Sequence, residues 1–145
     1  MSEPNWVPVR QILKMHDISL EYFGGASGLR DEGLLHSAAD RAPNKWHHGE
    51  QRLTLLAAAY AFGLSRYHAF VDGNKRVALA AMAEFLAKNG LTIVASPAEL
   101  TETMLALATG HLTEESLASW LDANTTASPV DPESDIPKLV RRNHQ

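Results

Sequence analysis

Nine consecutive residues, His68-Ala69-Phe70-Val71-Asp72-Gly73-Asn74-Lys75-Arg76, gather an imidazole, a carboxylate, an amide and two cations around one glycine. Imidazole is the side chain that titrates near neutrality, so His68 suits the removal of a proton from an attacking hydroxyl. Asp72 is of the type that holds magnesium, an ion usually bound by one or two carboxylates together with substrate phosphates. Gly73 allows a positive φ or a close approach of the backbone to a phosphate. Asn74 can donate and accept hydrogen bonds, and Lys75 and Arg76 supply positive charge for phosphate oxygens. Phe70 is expected to point into the core and fix the loop, since an aromatic buries much area at little entropic cost. Taken singly, each has a plain structural use: a satisfied loop histidine, a helix cap at Asp72, a solvated cationic face. Their occurrence together at one helix start is what points to a phosphate-handling site with a base beside it.

The elements that must position them are helical. Residues 8–23 place Val9, Ile12, Leu13, Leu20 and Phe23 at three- and four-residue spacing, with Gly24 and Gly25 ending the helix. Asp31 suits the N-cap of a second helix that buries Leu34, Leu35 and Ala38 and is expected to stop near Pro43. Residues 44–51, NKWHHGEQ, are polar and without period, and read as a loop. Residues 53–67 are apolar almost all round, as in a helix at the centre of a small bundle. The motif falls in the break that follows, so the next helix, 74–88, turns its unpaired N–H groups and positive dipole end toward it. Residues 91–94 could be extended. Ser96, with Pro97 and Glu99 after it, starts a helix carrying Leu100, Met104, Leu107 and Ala108. Thr113 opens a last one with Leu117, Trp120 and Leu121. The expectation is an all-α bundle of about six helices with little or no β structure, residues 1–124 forming one domain. Residues 125–145, rich in Ser, Thr, Pro and Asp with a basic end, read as a flexible polar tail.

Composition agrees with one domain. A chain of 145 residues with 45% hydrophobic residues can build a single core. A net charge of −4 gives no footprint for gripping a polyanion, so nucleic acid is not expected as a direct partner. Without cysteine there is no disulfide, thiolate metal site or cysteine nucleophile. No secretory leader or membrane span is read in the sequence, and the expected location is cytoplasmic. His47 and His48 lack a third ligand at helical spacing, so a solvated loop is preferred there over a metal site.

The string HAFVDGNKR resembles the signature of the Fic/Doc family, His-x-Phe-x-(Asp or Glu)-x-Asn-(Gly or Lys)-Arg. The likeness continues in FGGASGLRDEGLLHSAADRAPN (residues 23–44), FLAKNG (85–90) and GHLTEESLASWL (110–121), all similar to the Doc-like, death-on-curing branch. It covers residues 8–121. The resemblance implies a transferase in which His68 deprotonates the target hydroxyl, Asp72 binds Mg2+, and Asn74 and Arg76 hold phosphates. Lys75, where AMP-transferring members carry glycine, implies a reversed ATP that offers its γ-phosphate to a Ser or Thr hydroxyl. For that branch it also implies translation elongation factor EF-Tu as target, arrest of translation, and an antitoxin acting in trans. No internal inhibitory motif of the type Ser/Thr-x-x-x-Glu-(Gly or Asn) is present. Three departures stand out: Ala69 for proline, Val77 for threonine, and Leu79 for the second arginine of AMP-transferring members.

Two other functions compete, with a third, weaker reading. An AMP transferase of the same family would require Lys75 to swing away from the phosphates. A non-catalytic module that binds a peptide in a groove would leave the intact His68, Asp72, Asn74 and Arg76 unexplained. A DNA-binding reading has only the basic C-terminal end, KLVRRNHQ, in its favour.

Overall fold

A computed structural model describes residues 2–132 and contains six helices there: α1 (Val9–Phe23), α2 (Glu32–His47), α3 (Leu53–Arg66), α4 (Asn74–Lys88), α5 (Pro97–Ala108) and α6 (Glu114–Ala123). Two three-residue strands, β1 (Leu91–Ile93) and β2 (Thr125–Ala127), complete the described elements. The all-α expectation therefore holds apart from this short ribbon.

α3 is the axis of the bundle, and α2, α4 and α6 pack around it. Its near-uniform apolarity is explained by that position, because eleven of its residues, from Thr54 to Ser65, are buried. Gly63 marks the tightest crossing. A Cβ there would stand 2.9 Å from the Ala38 Cα of α2, so only glycine lets the two backbones come this close. α4 is buried along most of its length through Val77, Ala78, Ala81, Met82, Phe85 and Leu86. The stretch before α1 is tied to the same core. Trp6 stacks on Phe85 with ring centroids 5.7 Å apart, and the Val7 N–H donates to the Tyr60 hydroxyl at 3.0 Å.

Two boundaries differ from the sequence reading. α2 does not stop near Pro43 but continues through it to His47, absorbing the first half of the expected loop. A proline removes one N–H and crowds the preceding turn. Here the last turn is held from outside, by Trp46 set edge-on to Trp6 and by Lys45 paired with Glu114 at 3.1 Å. Residues 125–127 do not belong to the tail. They form β2, antiparallel to β1, with Leu91 opposite Ala127, Thr92 opposite Thr126 and Ile93 opposite Thr125. The pairing is carried by main-chain bonds, which leave no apolar alternation to read. The basic end, KLVRRNHQ, lies outside the described residues.

The helix starts follow the capping chemistry read from the sequence. Asp31 accepts from the Leu34 N–H, Ser96 and Glu99 form a reciprocal capping box, and Thr113 accepts from the Ser116 N–H.

Candidate active site

Residues 68–73 bridge the C-terminus of α3 to the N-terminus of α4. The loop doubles back so tightly that the side chain of Asn74 spans it. Its Oδ1 accepts from the Phe70 N–H at 3.1 Å, and its Nδ2 donates to the Phe70 carbonyl at 3.0 Å. Its amide group is thus committed to the loop. Gly73 stands at the N-cap with φ 77°, a conformation that glycine adopts without penalty. The first helical bond of α4 runs from Val77 N–H to the Gly73 carbonyl, at 3.0 Å. Among the described residues no acceptor bonds the N–H groups of Asn74, Lys75 and Arg76.

A cleft of about 640 Å³ opens over this helix start. His68, Asp72, Gly73, Asn74, Lys75 and Arg76 line one side, Phe23 to Gly25 the second, and Leu105 and Ala108 of α5 with its C-cap Thr109 the third. Of the motif residues given a role in the site, Phe70 does not line it. It lies beneath the loop, 2% exposed.

Asp72 faces the cleft as a carboxylate held in place by main-chain donors. Its Oδ2 accepts from Ala26 N–H at 3.1 Å and its Oδ1 from Gly73 N–H at 2.8 Å. These two bonds, with smaller help from the Arg76 guanidinium, hold the carboxyl below the ordinary aspartate range. Arg76 lies along the end of α1, donating to the Gly24 carbonyl at 2.8 Å and covering the Phe23 ring at 5.6 Å. Gly25 fills the angle between them, and a Cβ there would stand 2.8 Å from Asp72 Oδ2 and 3.1 Å from the Arg76 guanidinium. Lys75 is exposed and makes no ion pair or hydrogen bond among the described residues. The donor set fits a hard cation shared with a phosphate. Asp72 is ionised and solvent-facing, and no group of three or more His, Cys, Asp or Glu is placed to cage a metal alone among the described residues. His47 and His48 accordingly form no such group.

Two supports of the site are given no role by the reading of the sequence. His16 of α1 is buried under the loop, its ring stacked on Phe70 with centroids 3.8 Å apart, and its Nε2 is 2.7 Å from the Asp72 carbonyl oxygen. Arg30, in the segment between α1 and α2, donates to the carbonyls of His68 and Tyr67 at 2.6 and 3.1 Å. An isolated bridge pairs Leu29 with Phe70 beside it. His16 reads in sequence as one polar position on an amphipathic helix. Arg30 had a signal, the Leu-Arg-Asp string just before α2, but no feature of that string says what the arginine binds.

A family model described as the Fic/DOC family matches residues 6–86. Protein kinase doc of Escherichia phage P1 is 31% identical over 112 residues, which cover 77% of this chain and 88% of the relative. Toxin Doc of Mycolicibacterium smegmatis is 46% identical over 76 residues, 50% of this chain and 58% of that relative.

Proposed function

The chain belongs to the Fic/DOC family, and from that membership we propose that it is a Doc-like toxin that moves the γ-phosphate of ATP onto a Ser or Thr hydroxyl of a target protein. The observation that carries this reading is the meeting of His68, Asp72, Lys75, Arg76 and three unbonded N–H groups of α4 in one cleft. Phosphoryl transfer asks for positioning and charge stabilisation more than for covalent help, and a cleft with these groups supplies both.

His68 takes the proton of the target hydroxyl as its oxygen attacks the γ-phosphorus. The new P–O bond forms as the bond to the β–γ bridging oxygen breaks, and ADP leaves with that electron pair. The amides of Asn74, Lys75 and Arg76 receive phosphate oxygens at the positive end of α4. Lys75 and Arg76 offset the negative charge that the transferred group carries. When bound by Asp72 and phosphate oxygens, Mg2+ would neutralise further charge there. Leu79, packed against the core one turn along α4, offers no cation for the second phosphate contact implied for AMP transfer. This supports γ-phosphate transfer over adenylation.

The names of the two relatives, a protein kinase and a toxin, support a toxin with kinase activity; with it we propose EF-Tu as the target, translation arrest as the outcome and an antitoxin acting in trans. No helix among the described residues is long and apolar enough to cross a membrane, which accords with action on such a target. The test uses ATP labelled at either the γ- or the α-phosphate, incubated with purified protein and cell extract. Label from the γ-position on protein is expected. Label from the α-position would establish the AMP transferase instead, and no label from either would favour the peptide-binding module.

A further inference from the structure

α3 ends at Arg66, and the chain must turn out of it within two residues to begin the loop that carries His68. A helix that exits through the left-handed region normally places glycine there, because a Cβ is disfavoured. In this chain the left-handed position is His68 itself, with φ 53°, and among the described residues no other non-glycine residue has a positive φ. Such a conformation persists only where the surroundings over-determine it. The carbonyls around it are held by two adjacent residues, Arg30 and Asp31. The Arg30 guanidinium donates through Nε to the His68 carbonyl at 2.6 Å and through Nη2 to the Tyr67 carbonyl at 3.1 Å. The main-chain N–H groups of Arg30 and Asp31 both reach the Ala69 carbonyl, at 2.7 and 3.0 Å. Three successive carbonyls are thereby held by two adjacent residues. The clamp is anchored, because Asp31 is also the side-chain cap of α2. A cation is well placed beside these carbonyls, which follow directly on the negative end of α3 at Arg66, and the planar fork of arginine spans two of them as a lysine ammonium does not.

We propose that Arg30 is a positioning residue for the transfer reaction: by clamping the Tyr67 and His68 carbonyls it keeps His68 in the left-handed conformation that sets its imidazole at the cleft. The role in catalysis rests on the reading of His68 as the base. The conformational role does not. A displacement of a reacting group by about 1 Å can cost on the order of a hundredfold in rate, so a modest relaxation of His68 is enough to silence it.

The test compares the wild-type full chain with Arg30→Ala, Arg30→Met and Arg30→Lys by two measurements. The first is the intraresidue amide-to-Hα nuclear Overhauser effect of residue 68, which is intense only at positive φ. The second is steady-state transfer from γ-labelled ATP. Loss of the intense signal is expected in Arg30→Ala and Arg30→Met. Turnover should fall roughly ten- to a hundredfold with the KM for ATP nearly unchanged, and Arg30→Lys should recover part of it through one donor. Should Arg30→Ala fail to fold, Arg30→Met keeps the aliphatic stem and decides alone. An unchanged signal at residue 68 in a folded donor-less variant overturns the proposal. A wild-type protein that transfers no label, yet shows the signal vanish with Arg30, would sink the kinase reading and leave the clamp standing.

Discussion

The imidazole of His16 lies flat on the ring of Phe70, the planes only 14° apart, while its Nε2 stands 2.7 Å from the carbonyl oxygen of Asp72. A carbonyl only accepts, so this ring nitrogen carries the hydrogen. One buried side chain on α1 therefore supports both the floor of the loop and the residue next to the helix start. His16→Phe keeps the stack and removes the donor. The expected result is a loss of about 1–2 kcal/mol in urea unfolding, the cost of leaving a carbonyl unsatisfied in a covered place. Transfer activity should fall with it, and His16→Gln, which can still donate, should recover stability better than His16→Phe does.

Gly25 meets the site from the other side. Its φ of 118° is open to glycine and strained for alanine, and the added Cβ would collide with the Asp72 carboxylate at 2.8 Å. In Gly25→Ala the carboxylate or the segment must move. Stability should drop by about 1–3 kcal/mol, and titration calorimetry should show weaker Mg2+-dependent ATP binding. Gly24→Ala shares the positive φ but meets nothing within 4 Å, so it should weaken binding less.

Acid should expose the Asp72 contacts. Its carboxyl is depressed in the folded protein, by the Ala26 and Gly73 N–H groups above all. A depressed carboxylate stabilises the fold fully above its unfolded pKa, near ~3.9, and the contribution disappears as pH falls through the lower folded value. The difference in Tm between wild type and Asp72→Asn should therefore be steady at neutral pH and close below about pH 4. An acid limb should remain in the variant, because Asp122 is depressed as well, first by the Thr54 hydroxyl and then by Arg52. A difference that widens toward acid would contradict the assigned contacts.

At the crossing of α2 and α3 the expected effect is purely one of packing. Gly63→Ala puts a methyl 2.9 Å from the Ala38 Cα, where backbone and not a flexible side chain must yield. Overpacking of this kind costs about 1–3 kcal/mol. Tm should fall, while the KM for ATP stays within twofold, since neither residue lines the cleft.

The helices and the position of the site were legible because both are local signals. Apolar spacing marks α1, the all-apolar run marks α3 as central, and HAFVDGNKR places its chemistry where two helices meet. What the sequence does not disclose is non-local. His16 lies 56 positions from the carbonyl it holds, and Arg30 lies 38 from His68. The passage of α2 through Pro43 depends on Trp6 and Glu114, contacts that no local pattern encodes. Asn74 shows a different limit. Its residue type suits phosphate, yet the geometry turns both ends of its amide onto Phe70 and leaves the backbone N–H as the group facing the helix start.

His68 itself separates chemistry from stability. With φ 53° its backbone is disfavoured for a residue that bears a Cβ, and glycine would relieve that strain while keeping every carbonyl that Arg30 clamps. His68→Gly should therefore raise stability, by up to about 1 kcal/mol after glycine's greater entropy in the unfolded chain is subtracted. It should also abolish label transfer, because the proposed proton acceptor is gone. His68→Ala should abolish transfer without the gain, since alanine keeps the Cβ. The measurements are urea midpoints and γ-label incorporation on the same three proteins. A His68→Gly protein that is markedly less stable would mean that the imidazole, exposed at the cleft, contributes packing that its position does not suggest. One that still transfers phosphate at the wild-type rate would remove His68 from the role of base.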